Sequence, residues 1–117
     1  MDIMYLGHSA FRLRGKNGIV VCDPFNPAMT GIAWSKQKAD VITISHNHDD
    51  HNFISGISQS NTRKGDPFMI EGPGEYEVQG IVVHGWQTFH DAVSGKERGK
   101  NTMFLIELDD VKVLHAG

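Results

Sequence analysis

Three histidines and an aspartate fall close together in the stretch His46-Asn47-His48-Asp49-Asp50-His51, spaced His-x-His-x-Asp-His. Imidazole nitrogens and carboxylate oxygens are the donors zinc takes in catalytic sites, which keep one position open for water. The spacing lets His46 and His48 grip one ion, while Asp50 and His51 turn toward a second position beside it. Without an ion, four such neighbours would repel one another or stand idle. A solvated, histidine-rich loop therefore explains the pattern less well than a metal site does.

The element that must position the motif precedes it directly. Val41-Ile42-Thr43-Ile44 is apolar and β-branched, which predicts a buried strand ending at Ser45. The motif then lies on the loop at the strand's end, where side chains two or three residues apart can converge. Phe53, Ile54 and Ile57 recur at helical spacing and predict a short helix over 52–59, starting near Asn52.

The rest of the chain reads as strands and turns. Short apolar runs lie at 3–6, 11–14, 19–22, 68–70, 76–78, 81–86 (continuing through 87–90), 103–108 and 111–114. Lys16-Asn17-Gly18 and Asp109-Asp110 read as hairpin turns, and Gly72-Pro73-Gly74-Glu75 as a further turn. Period two puts Arg12, Arg14 and Lys16 on one face, most simply a solvated one. Residues 26–38 read as an irregular connection with an exposed Trp34. His84 reads as a polar residue on a strand's exposed face. The segment 92–100 carries Lys96, Arg98 and Lys100 between glycines, either as a solvated hairpin or as a basic lid for an anionic substrate.

Composition narrows the classes. The 117 residues suffice for one domain, and 13 glycines suit strands and turns better than a helical bundle. A net charge of −3, without an aromatic-basic stripe, argues against a nucleic-acid partner. Cys22 is the one cysteine, so no intrachain disulfide forms, and it continues an apolar strand as a packed thiol. The start Met1-Asp2-Ile3 has neither a charged leader nor a long apolar segment. The expectation is a cytoplasmic protein without a membrane span.

The motif after its strand resembles the metal-binding signature of the metallo-β-lactamase superfamily. Gly7-His8-Ser9-Ala10-Phe11, Asp23-Pro24-Phe25, Gly72-Pro73-Gly74-Glu75-Tyr76, His90-Asp91 and Leu114-His115-Ala116-Gly117 resemble, in order, the small hydrolases related to L-ascorbate-6-phosphate lactonase. The resemblance implies an α/β fold, the N-terminal half of a four-layer αββα sandwich. Its sheet would be mostly antiparallel or mixed, with one or two short helices, over residues 1–117 and with the C-terminal half absent. It implies that His115 is the third histidine of the first metal site. It further implies that Asp23 steadies the metal loop from behind, and that His90 stands near the site as a substrate or proton-transfer residue.

The family's bridging aspartate and final histidine have no counterpart here. Site one would hold His46, His48 and His115 with a fourth place for water, whose pKa such zinc sites lower to about 7. Site two would have only Asp50 and His51, with Asp50 also able to accept a proton or orient the attacking water. The expected cofactor is one or two zinc ions, with manganese or iron as alternatives. The expected reaction is attack of a zinc-bound hydroxide on a small, in some cases anionic, ester, lactone or phosphoester. Two alternatives stand beside it: a nuclease of the same fold, and a non-catalytic metal-binding half-domain. In the last case a complementing half-domain or a second copy would cover a sheet face otherwise left bare.

Overall fold

The computed structural model describes residues 1–46, 53–60, 65–89 and 100–117. Its strands begin with β1 (Asp2–Gly7), β2 (Ala10–Gly15), β3 (Gly18–Cys22), β4 (Gln37–Ala39), β5 (Val41–Ile44) and β6 (Ile57–Gln59). They continue with β7 (Phe68–Glu71), β8 (Gly74–Val78), β9 (Ile81–Phe89), β10 (Lys100–Leu108) and β11 (Val111–His115). One helical turn, α1 (Pro27–Thr30), and one 3-10 turn, Ile54–Gly56, interrupt them.

The larger sheet has five strands in the order β1-β2-β3-β5-β7. β1, β2 and β3 pair antiparallel, and β5 and β7 then add in parallel. All four residues of β5 are buried, as expected of a parallel strand covered on both faces. The second sheet is an antiparallel meander in the order β11-β10-β9-β8. β10 alternates cleanly, sending Thr102, Phe104, Ile106 and Leu108 inward.

The two sheets meet face to face. Leu13, Val20, Cys22, Val41 and Ile70 of the first pack with Val83, Phe104, Ile106 and Leu108 of the second in one core. Removing Phe104, which is fully buried, would cost about 3–5 kcal/mol through lost transfer energy and a cavity. A smaller cluster covers the outer side of β3 and β5, where Val21, Ile42 and Ile44 lie under Trp34 and Ile57. The sandwich interior is thus closed. The exposed apolar side chains Trp86 and Leu114 belong to the second sheet, across from Met103 and Leu105 of β10.

Several local expectations need correction. Within the predicted helix over 52–59, the described residues form the Ile54–Gly56 turn and then β6. Ile57, Ser58 and Gln59 pair in parallel with Gln37, Lys38 and Ala39 of β4, and this pairing overrides the helical spacing. The connection over 26–38 is more ordered than its composition suggested. Asn26 caps α1 by accepting from the Ala28 N–H at 3.0 Å, and Gly31 ends the turn with φ of 71°. Trp34 is half-buried, packed edge-on against Phe25 and Phe53, and its indole N–H donates to the Gly56 carbonyl at 3.0 Å.

Glu75 lies in β8 rather than in a turn. The β2–β3 turn is Lys16-Asn17, with Gly15 and Gly18 facing each other across the ladder. The Asp109-Asp110 turn is as expected. Both residues have positive φ, 52° and 62°, the signature of the hairpin turn that matches strand twist.

Candidate metal centre

β3 and β5 run parallel and end side by side, so Asp23 follows one and Ser45 the other. The backbone at Asp23 has φ of 46°, a left-handed conformation that aspartate tolerates better than most residues. That conformation aims its buried carboxylate across at β5. One oxygen accepts the Ser45 backbone N–H at 2.7 Å, and the other accepts the Ser45 hydroxyl. The Asp23 N–H donates in turn to the Thr43 carbonyl at 2.9 Å.

His46 is buried directly after this clasp. Its Nδ1 lies 2.8 Å from the Ser45 hydroxyl and 3.1 Å from Oδ1 of Asn101, the second residue of β10. The Asn101 amide nitrogen donates to the Ala116 carbonyl at 2.8 Å and to the Thr88 hydroxyl at 2.9 Å. The Thr102 N–H adds a backbone bond to the Ser45 carbonyl at 2.7 Å. The end of β5 is thereby joined to the start of β10 and to the residues following β11.

His115 closes β11 and is also buried. Its Nε2 lies 2.8 Å from the Ser9 carbonyl, which can only accept, so Nε2 carries the hydrogen. Nδ1 is then the lone-pair nitrogen. It is buried without a hydrogen-bond partner among the described residues. A histidine held by a backbone carbonyl on one nitrogen, with the other bare and buried, has the form of a metal ligand. The donor chemistry therefore fits a metal ion.

His48, Asp50 and His51, expected as ligands, and His90 with residues 91–99, which include Lys96 and Arg98 of the basic segment, lie outside the described residues; Lys100 begins β10. No group of three or more histidine, cysteine, aspartate or glutamate side chains converges among the described residues. The two ends of the motif are nonetheless anchored. His46 enters it from the Asp23 clasp, and Phe53 leaves it donating its N–H to the Pro24 carbonyl at 2.7 Å.

A cavity of about 300 Å³ opens beside His46, walled by Glu71, Pro73, Gln87, Lys100 and Thr102. A larger one of about 420 Å³ lies by Lys16 and Asp109, at the far end of the strands from His46. Sequence reading missed Asn101 and Ser45 as members of this site. The only cue was a polar residue at the head of an apolar strand.

Comparisons with known proteins bear on the family and the fold. The family model described as a β-lactamase superfamily domain matches residues 2–117. A UPF0173 metal-dependent hydrolase of Thermococcus onnurineus is 30% identical, aligning with 100% of this chain and 61% of its own length. Its namesake in Bacillus velezensis is 26% identical, with 100% and 62% covered. The chain thus spans about 60% of the length of these relatives.

Among solved structures, a Thermotoga maritima protein assigned to the Zn-dependent hydrolases of the metallo-β-lactamase superfamily superposes with a TM-score of 0.69. It is 35% identical, with 98% of this chain and 48% of that one covered. The diiron β-hydroxylase CmlA of Streptomyces venezuelae shares the fold at a TM-score of 0.60 and 16% identity, over 97% of this chain and 28% of its own.

Proposed function

The chain belongs to the β-lactamase superfamily, and from that premise we propose that it forms the metal-binding part of a metal-dependent hydrolase. The proposed substrate is a small ester, lactone or phosphoester. The observation that carries the reading is the bare, buried Nδ1 of His115, on a strand end tied through Asn101 to His46. His46 and His115 would hold the first metal together with His48, and Asp50 and His51 would begin a second position. When bound, the metal polarises the scissile group and lowers the pKa of a coordinated water. Zinc is the expected ion, although the fold also carries iron in CmlA.

The chain's own residues supply position and protons. Asp23 and Ser45 fix the backbone from which His46 projects, and Ser9 holds the ring of His115. Asp50 is proposed to take the proton from the attacking water, and His90 to meet the substrate or return a proton to the leaving group. Lys100 and Gln87 line the cavity beside His46, and their proposed role is to contact an anionic or polar group on the substrate. The single reduced Cys22 suits the expected cytoplasmic setting.

The test is metal content per purified chain, by elemental mass spectrometry after zinc reconstitution. About one ion is expected for the wild type, with His46→Ala and His115→Ala each losing it. A wild type that stays metal-free, or an alanine variant that keeps its ion, overturns the reading. The share of the relatives' length that is covered favours one second reading, a half-domain that takes up metal without turnover until a complementing segment is supplied. Turnover of a lactone and phosphoester panel by the zinc-loaded chain alone would exclude it.

A further inference from the structure

The geometry points to Asn101 as a positioning residue that fixes which nitrogen of His46 faces the metal. One neighbour of Asn101 has only one hydrogen-bonding sense. The Ala116 carbonyl can only accept, so the Asn101 nitrogen 2.8 Å away must be the NH2 end of its amide. The Thr88 hydroxyl, which can also accept, takes a second hydrogen of that NH2 at 2.9 Å. The amide is therefore oriented with Oδ1 toward His46.

An amide oxygen accepts only, so Nδ1 of His46 carries the hydrogen. Its other neighbour agrees. The Ser45 hydroxyl spends its own hydrogen on Asp23 and offers an oxygen lone pair to Nδ1. His46 is thus the Nδ1–H tautomer, with its ligating lone pair on Nε2.

His115 is set the opposite way by the Ser9 carbonyl, with hydrogen on Nε2 and lone pair on Nδ1. Two histidines from distant parts of the chain carry opposite tautomers, each dictated ultimately by a backbone carbonyl. Asn101 is the side chain through which the Ala116 carbonyl, next to His115, governs His46. Burial makes the arrangement strict, because Asn101 and both histidines are shielded from solvent that could substitute for a lost partner. The fit around the amide is also tight. A Cβ added at Gly117, whose φ is 95°, would sit 2.5 Å from Oδ1 of Asn101 and 2.8 Å from the Ser45 hydroxyl.

This inference rests on the reading of His46 and His115 as metal ligands, and its test separates the two. Long-range 1H–15N spectra of the metal-free wild type at pH 8 should show His46 protonated on Nδ1 and His115 on Nε2. Asn101→Ala should let His46 populate both tautomers and weaken zinc binding about tenfold to a hundredfold in a chelator competition. Asn101→Asp keeps the acceptor toward His46 and should restore the tautomer, although its loss of the NH2 donors leaves part of the affinity deficit.

A wild-type His46 protonated on Nε2 overturns the proposal whether or not any variant folds. Unchanged tautomer and affinity in a folded Asn101→Ala overturn it as well. Should that variant fail to fold, loss of the Nδ1–H tautomer in Asn101→Asp does so. A wild type that takes up no zinc overturns the ligand reading instead, and leaves the spectra to decide the tautomers alone.

Discussion

The backbone N–H of Phe53 bonds to the carbonyl of Pro24 at 2.7 Å, one residue beyond the carboxylate that clasps Ser45. Two adjacent residues following β3 therefore hold Ser45 and Phe53, the described residues on either side of the His-x-His-x-Asp-His motif. Asp23 fixes where it begins and Pro24 where it returns. The spacing of those anchors sets how far apart the described ends of the motif-bearing segment lie.

Removing the Asp23 carboxylate should therefore do two things at once. Asp23→Ala leaves the buried Ser45 N–H and hydroxyl without their acceptor and places alanine at positive φ, for an expected loss of about 2–4 kcal/mol in urea unfolding. Asp23→Asn keeps an acceptor and tolerates the left-handed backbone, and should lose about half as much. Zinc affinity should fall in the same order.

The Asp109-Asp110 turn offers a contrast between neighbours. Asp110 at φ of 62° is the second turn position, where glycine is preferred, and Asp110→Gly should stabilise by roughly 0.5 kcal/mol. Asp109 has another task. It accepts the Lys16 N–H at 2.9 Å and lies 3.6 Å from the N-terminal ammonium, so Asp109→Gly should destabilise despite the same backbone relief. Thermal midpoints of the two variants should move in opposite directions.

Cys22 should be chemically silent in the folded chain. Burial, with a smaller contribution from the Asp23 charge, pushes its thiol from 9.0 up to about 12. Iodoacetamide at pH 8 should then label it only after denaturant is added. The folded state holds the proton more tightly than the unfolded one. The stabilising difference is fully present below pH 9 and is lost as pH rises from 9 toward 12, by up to about 1.4 kcal/mol per pH unit. Cys22→Ala should remove that part of the alkaline slope while lowering stability at neutral pH.

Lys100 provides a check on substrate charge. If it meets an anionic group in the cavity beside His46, Lys100→Ala should raise KM for an anionic ester about tenfold and leave a neutral ester unaffected. Lys100→Arg should recover most of the difference. An equal effect on both esters would assign Lys100 to the architecture instead.

Much of this was legible in the sequence because it is local. Val41-Ile42-Thr43-Ile44 announces a buried strand, β10 alternates in register with its core, and Asp109-Asp110 fits a two-residue hairpin. The helix expected over 52–59 failed because its apolar spacing is equally served by a turn followed by a strand, and the deciding partner was β4, far back in the chain. Asn101 could not be seen for the same reason. Its contact with His46 spans 55 residues, and that of His115 with Ser9 spans 106. The motif proposes candidate ligands from local spacing, but the groups that hold His46 and His115 reveal themselves only when the chain has folded.

The order of the strands has a kinetic consequence. β1 to β3 and β8 to β11 are meanders of sequence neighbours, able to nucleate as separate units with small losses of chain entropy. β5 and β7 enter by parallel pairing, which requires longer closures and an already formed β3. Ser45 can reach Asp23 only after β5 is inserted, and Asn101 can reach His46 only after the second meander has docked. The site is thus assembled last, and its ion would serve as a latch on a finished fold rather than as a seed for it.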